Sequence, residues 1–117
     1  MPTEILLHDP PLWLTTPLLG EPAATARLHR LDAALDWQRP TLRLYGHEHV
    51  IPRAQIWMGD AEAHYRYSGR DFHPEPWHPA VAELRERVIA VLADRGIHAG
   101  FNSALLNRYA DGEERMG

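Results

Sequence analysis

The sequence predicts an α+β fold, because segments with helical spacing of apolar residues occur beside segments in which apolar and polar residues alternate. The segments 22–37 and 81–92 repeat apolar residues every three or four positions. The segments 41–68 and 101–109 repeat them every second position. The length of 117 residues is that of one ordinary domain. We therefore expect residues 1–117 to form a single domain.

The first forty residues predict an arm followed by a helix. Prolines at 10, 11 and 17 break up an otherwise apolar start, so residues 1–20 are expected to form an extended arm. Pro22 suits the first turn of a helix that runs to about Trp37. Pro40 would then end it.

Three strands and a loop are predicted next. Leu42 and Leu44 alternate with polar neighbours up to a turn at Gly46. After Pro52, the side chains of Arg53, Gln55 and Trp57 are expected on one strand face, and those of Ala54, Ile56 and Met58 on the other. Following a turn at 59–60, Ala63, Tyr65 and Tyr67 would share a face of the next strand, and the proline-rich stretch 69–79 is predicted to be loop.

The last part of the chain predicts a helix and one more strand. An apolar stripe that includes Val81, Val88 and Leu92 indicates a helix, which Gly96 would end. Residues 101–109 then alternate as a strand, and Asp111-Gly112 indicates a turn. Because the chain stops five residues later, we expect that strand to lack a partner across the turn.

Composition excludes several classes of protein. Cysteine is absent, so disulfides and cysteine-ligated zinc are excluded. No apolar run is long enough for a membrane-spanning helix, and the start lacks the basic and small-residue pattern of a secretion signal, so we expect a cytoplasmic protein. The net charge of −4 argues against non-specific coating of nucleic acid. All twelve basic residues are arginine, whose planar fork suits phosphates and carboxylates.

Three short motifs could carry chemistry. His47 and His49 have a metal-ligand spacing, but no third ligand belongs to the pattern, so we favour exposed histidines and predict no metal site. Tyr65 and Tyr67 could form an aromatic wall that stacks a planar ligand, or simply belong to a sheet core. Asn107 could, with the nearby phenol of Tyr109, hold a small carboxylate, although an asparagine near a strand end is usually turn chemistry.

Several segments match one known family in order and spacing. They are Arg43-Leu44-Tyr45-Gly46, Ile51-Pro52-Arg53-Ala54-Gln55, Gly59-Asp60, Tyr65-Arg66-Tyr67-Ser68-Gly69, Pro76-Trp77 and the run 101–112. Together they resemble the AlkB family, Fe(II)- and 2-oxoglutarate-dependent oxygenases that remove alkyl groups from nucleic-acid bases. The resemblance covers about residues 37–117 and is greatest to the branch that repairs double-stranded DNA. It implies that helices back the first strands of a jelly roll (double-stranded β-helix), which would be incomplete here.

The resemblance also implies roles for individual residues. In the family's pattern, Asn107 and Tyr109 contact 2-oxoglutarate and Leu105 lines the same pocket. Three sets of residues match substrate-binding positions: the duplex-intruding finger Tyr45, Gly46 and His47, the strand residues Arg53 and Gln55, and the base-holding segment Tyr65, Arg66 and Tyr67. Base flipping needs an aromatic clamp outside the helix and a wedge inside it, in agreement with these positions.

The family's iron ligands are missing from the sequence. The resemblance places a His-x-Asp motif just beyond Gly117, with a distant histidine and a C-terminal arginine further on. We therefore interpret the chain as the N-terminal part of such an enzyme, inactive by itself and prone to self-association through unpaired strand edges.

The predicted parent activity is oxidative demethylation of N-alkylated bases in DNA, with RNA left open as a substrate. It would use Fe(II), 2-oxoglutarate and O₂, and hydroxylation of the N-methyl group would release formaldehyde. Two alternatives remain. One is a non-catalytic nucleic-acid or nucleotide-binding module that uses the wall formed by Tyr65 and Tyr67. The other is a small structural domain whose aromatic residues are all core.

Overall fold

The computed structural model describes residues 3–67 and 69–116 as two compact units. One unit comprises Met1–Ala34 and Ala80–Gly100, and the other comprises Leu35–Pro79 and Phe101–Gly117. No helix among the described residues has the length and apolar character needed to cross a membrane. The combination of helices and antiparallel strands confirms the mixed fold. The expectation of a single domain stays a prediction.

The first unit contains a hairpin and two helices. Strands β1 (Thr3–His8) and β2 (Pro11–Thr15) pair antiparallel, and helices α1 (Glu21–Ala34) and α2 (Pro79–Ala93) follow along the chain. Within the expected arm at 1–20, residues 3–15 therefore form a hairpin, whose two strands satisfy each other's backbone groups. The apolar side chains of both strands stay exposed, namely Ile5, Leu6, Leu7, Leu12, Trp13 and Leu14.

Both helices begin close to the predicted positions. The end of α1 differs from the prediction, whereas the end of α2 agrees with it. Helix α1 ends at Ala34 and not at Trp37, because Gln38 exchanges two backbone hydrogen bonds of 2.8 Å with Gln55 and so draws the chain out of the helical conformation. Helix α2 ends as predicted at a glycine. Gly96 has a φ of 77°, and the N–H groups of residues 96 and 97 bond to carbonyls of the last helical turn.

The second unit is built from three antiparallel strand pairs. They are β3 (Thr41–Leu44) with β4 (His47–Val50), β5 (Ala54–Gly59) with β8 (Ser103–Arg108), and β6 (Tyr65–Tyr67) with β7 (Arg70–Phe72). Strand β8 pairs with β5, which lies far away in sequence, and the expected lack of a partner across the turn at Asp111 stays a prediction. The prediction of loop throughout 69–79 is wrong at β7, where Gly69 with φ 78° lets the chain turn back on β6.

The core of the second unit lies around β5. Leu42, Ile51 and Phe72 form a buried cluster against which Trp57 packs. The residues on the opposite face of β5, Ala54, Ile56 and Met58, are buried as well, and Met58 has no exposed surface. Each sheet among the described residues has two strands, so the jelly roll stays a prediction.

Candidate functional site

The pairing of β5 with β8 brings two groups of predicted site residues together. Gln55 lies opposite Asn107, and Trp57 lies opposite Leu105. Directly opposed residues of an antiparallel pair project from the same face. Asn107 and Leu105, which are predicted 2-oxoglutarate residues, therefore lie on one surface with Gln55, a predicted substrate residue. Gln55 and Asn107 are 52 positions apart in the sequence.

Arg53 is the most deeply buried charged residue on this surface. It is only 6% exposed, yet both ends of its guanidinium have partners. The Nε group donates to Asn107 Oδ1 at 2.9 Å, and a terminal nitrogen donates to the Met116 carbonyl at 2.7 Å. A buried charge requires such partners, since desolvation would otherwise be costly. Arg53 thus connects β5 to the predicted cofactor residue on β8 and to the segment that follows it.

Gln55 lies beside a cavity of about 130 Å³. The residue is 5% exposed, and no hydrogen bond of its side-chain amide is found among the described residues. None of the buried polar side-chain atoms in that part of the chain is unsatisfied. The residues around the cavity are Gln38, Gln55, Ile56, Trp57, Asp71, Phe72, His73 and Glu75.

The predicted finger residue stands at the tip of the β3–β4 hairpin. Tyr45 is 99% exposed and has a φ of 52°, and the following Gly46 has a φ of 80°. Two positive φ values at the centre of a two-residue hairpin are typical of a type I′ turn, which favours asparagine, aspartate or glycine. A tyrosine is uncommon at such a position, because a positive φ is unfavourable for a bulky side chain. The Tyr45 ring is therefore not part of the hydrophobic core.

The two histidines of the same hairpin lie as the strand pattern predicts. His47 and His49 are exposed on β4, and their ring centroids are 6.4 Å apart. No group of three histidine, cysteine or acidic residues that could hold a metal ion occurs within residues 3–67 and 69–116. The residues at hand therefore do not fit an iron centre, and no iron ligand is assigned.

The predicted base-holding residues lie on the β6–β7 hairpin. Arg66 is exposed and pairs with Asp71 on β7 at 3.2 Å. The expected aromatic wall depends on the side chains of Tyr65 and Tyr67, which lie outside the described part of the structure, as does Ser68. Phe72, directly across from Tyr65, is buried beside the cavity.

The predicted 2-oxoglutarate residues have accessible side chains. Leu105 is 41% and Tyr109 is 43% exposed, and Asn107 between them is half-buried. The amide NH₂ of Asn107 and the phenol of Tyr109 are donors suited to a carboxylate. The donor chemistry of these residues therefore fits a small 2-oxo acid.

The sequence patterns did not predict two parts of the protein that lie around the candidate site. Gln38 reaches the cavity through its backbone pairing with Gln55, and a single non-local bridge leaves no periodic signal in a sequence. The segment after β8 folds back, because Arg115 N–H donates to the Pro52 carbonyl at 2.9 Å and Glu114 pairs with Arg39 at 2.6 Å. The turn at Asp111 was predictable, since that side chain accepts from the Glu113 N–H.

Comparison with known proteins identifies relatives over most of the chain. The profile of the 2OG-Fe(II) oxygenase superfamily matches residues 12–117. Three similar curated proteins carry the name DNA oxidative demethylase ALKBH2. Those from Bos taurus, Mus musculus and Homo sapiens are 31%, 32% and 31% identical over 105 residues. These alignments cover 87% of this chain but 36%, 42% and 38% of the relatives. The matches confirm the AlkB-family resemblance, and the chain spans about two fifths of its curated relatives' length.

Proposed function

Because the chain belongs to the 2OG-Fe(II) oxygenase superfamily, we propose that it forms part of an enzyme that oxidatively demethylates N-alkylated bases in DNA. The similar curated proteins are named DNA oxidative demethylases, which supports the proposed type of activity. The described residues would supply the DNA-facing surface and part of the 2-oxoglutarate site. No residue among them is assigned to iron.

The exposure and backbone of Tyr45 are the observation that carries the proposal. A side chain that is 99% exposed contributes no burial to folding, and its positive φ is unfavourable for a bulky residue. Strained positions of this kind concentrate at functional sites. A ring at the tip of a tight two-stranded hairpin has the shape of a wedge, and wedges between base steps offset the unstacking cost of an extruded base.

The cavity beside Gln55 supports the same proposal. An amide offers both a donor and an acceptor, so it can read the hydrogen-bonding edge of a planar base. Trp57 and Phe72 provide apolar surface around the same cavity. A base held there would lie on the side of the sheet that also carries Asn107.

The 2-oxoglutarate site is assigned to Leu105, Asn107 and Tyr109. When bound, 2-oxoglutarate supplies the reducing electrons for the oxidation and becomes succinate and carbon dioxide. The protein's part is to hold the carboxylate through the Asn107 amide and the Tyr109 phenol, with Leu105 as an apolar wall. Fe(II) and O₂ are the other implied participants. These 117 residues alone are expected to form no succinate.

A fluorescence experiment tests the DNA-facing part. A duplex with one N-methylated base beside a fluorescent base analogue is titrated with the 117-residue chain, because unstacking of the analogue raises its emission. The parent chain should raise the emission at the methylated site, and Tyr45→Asn, which suits the turn but lacks the ring, should not. Phe101→Ala is the matched control, since Phe101 is exposed but outside the site. No rise with the parent chain, or an equal rise with Tyr45→Asn, would contradict the wedge.

A further inference from the structure

We propose that Arg53 is a positioning residue that orients the Asn107 side-chain amide, so that its NH₂ group is the one presented to a bound carboxylate. The inference rests on the proposed function, since it concerns the residue assigned to 2-oxoglutarate. It adds a role for Arg53 that differs from contact with the nucleic acid.

The hydrogen bond between Arg53 and Asn107 fixes which end of the amide faces the guanidinium. The Nε group of Arg53 lies 2.9 Å from an atom of the Asn107 amide. A guanidinium has donors only, whereas an amide has one oxygen acceptor and one NH₂ donor group. The amide oxygen must therefore face Arg53, because the flipped amide would set two donors against each other. The Asn107 NH₂ group is left to donate elsewhere.

Arg53 is itself held in place by burial and by a second hydrogen bond. Its terminal nitrogen donates to the Met116 carbonyl at 2.7 Å, and the residue is 6% exposed. Two bonds from different sides of one planar group hold that plane in place. A buried guanidinium has little freedom to turn away or exchange its partner for water. Arg53 therefore holds the Asn107 amide in one orientation before any ligand arrives.

The Asn107 NH₂ group in this orientation favours an anionic ligand. An NH₂ group polarised by a cation on the other end of the same amide is a better donor, because hydrogen bonds in a chain strengthen one another. The nearby positive charge also favours an anion. The arrangement thus selects a carboxylate over a neutral carbonyl group, in agreement with a 2-oxo acid. Arg53 acts through Asn107 and does not itself need to touch the ligand.

Nuclear magnetic resonance of the ¹⁵N-labelled 117-residue chain tests this role without turnover. 2-Oxoglutarate is titrated while the two side-chain NH₂ cross-peaks of Asn107 are followed. In the parent chain these peaks should shift on binding. Arg53→Gln, which can donate or accept and so permits both amide orientations, should weaken the affinity about tenfold. Arg53→Lys, which keeps the charge but not the fork, should give a smaller loss.

A control and a second measurement keep the test decisive. Arg43→Gln removes an exposed arginine of the same unit and should leave the affinity unchanged. In the unliganded parent, hydrogen exchange of the Arg53 Nε–H should be slow, and it should be faster in Asn107→Ala. This measurement does not depend on whether the Arg53 variants fold.

The outcomes separate this inference from the proposed function. A 2-oxoglutarate affinity that is unchanged in Arg53→Gln, or an Nε–H exchange rate that is unchanged in Asn107→Ala, would overturn the positioning role while leaving the cofactor site intact. Asn107 peaks that stay in place in the parent chain at saturating 2-oxoglutarate would overturn the NH₂ assignment and the proposed 2-oxoglutarate site together. The wedge experiment on Tyr45 is independent of both results.

Discussion

Gly59 on β5 lies against the backbone of Ser103 on β8, its partner in the strand register. A Cβ atom at Gly59 would be 2.7 Å from Ser103 Cα and 2.8 Å from Ser103 Cβ, and it would also meet the carbonyl oxygen of Asn102. Real Cβ atoms do not approach other atoms this closely. The absence of a side chain at Gly59 therefore allows the two strands that carry the candidate site to close at this end.

Gly59→Ala is expected to destabilise the fold by about 1–3 kcal/mol, the usual cost of overpacking. The atoms it would strike are mainly backbone, which cannot move aside like a flexible side chain. Urea unfolding followed by tryptophan fluorescence measures the change. Gly112→Ala is the matched control because a Cβ there meets nothing within 4 Å. Equal unfolding midpoints for the two variants would show that β5 and β8 can separate at no cost.

Tyr45→Asn is expected to stabilise the chain by about 1 kcal/mol. Asparagine tolerates the left-handed conformation at this turn better than tyrosine, and Tyr45 buries no surface that could be lost. The same urea experiment measures it, with Tyr45→Ala as a variant that lacks the ring but also lacks asparagine's turn preference. A loss of stability in Tyr45→Asn would indicate that the tyrosine ring supports the hairpin.

Gln55→Met is expected to change the free energy of unfolding by less than about 1 kcal/mol, because no buried polar side-chain atom among the described residues is unsatisfied and Gln55 borders the cavity. Methionine has a similar length and adapts to irregular space. The same change should weaken binding of a methylated oligonucleotide, measured by fluorescence anisotropy. A larger loss of stability would mean that the Gln55 amide makes a hydrogen bond on which the fold depends.

Arg27→Ala is expected to cost about 1–2 kcal/mol of stability in the first unit. One guanidinium nitrogen of Arg27 donates from α1 to the Ala80 carbonyl at 2.7 Å and to Glu83 at 2.9 Å, both on α2. The Arg27 side chain is 18% exposed, so solvent replaces these bonds poorly. Arg30→Ala, one turn further along α1 and exposed, should change the unfolding midpoint little. A similar loss in both variants would point to helix propensity rather than these bonds.

Glu114→Gln is expected to reduce the acid sensitivity of the chain. The backbone N–H of Ala110 and then the guanidinium of Arg39 lower the pKa of the Glu114 carboxyl below its ordinary value of 4.5. A pKa that is lower in the folded state contributes stability above the unfolded pKa, and that stability is lost as pH falls through the folded pKa. The parent chain should therefore lose more stability than Glu114→Gln between neutral pH and pH values below 4.5.

Urea unfolding at the two pH values measures this difference. Glu113→Gln is the control, because Glu113 enters this turn through its backbone N–H and carbonyl. Glu113→Gln should follow the parent in acid. If Glu114→Gln did so as well, the ion pair with Arg39 would contribute nothing to acid stability.

Local patterns of residue types were enough to predict most of the helices, strands and turns. Period-2 alternation identified β5 and β8, apolar spacing identified both helices, and glycine chemistry identified the turn at Gly46 and the end of α2 at Gly96. These features depend on neighbouring residues, so the order of residue types is enough to indicate them. The family resemblance also came from short segments in order, and the superfamily profile confirms it at the level of the fold family.

Which of these elements lie beside one another could not be predicted from local patterns. The pairing of β5 with β8 places Gln55 opposite Asn107, and the bridge from Gln38 shortens α1 and lines the cavity. The bond from Arg53 to Asn107 is likewise invisible in the alternation of either strand. Such contacts join residues far apart in the chain, and their free energy depends on burial and on which partners satisfy each polar group. A local pattern specifies the face of a strand but not the strand that will lie beside it.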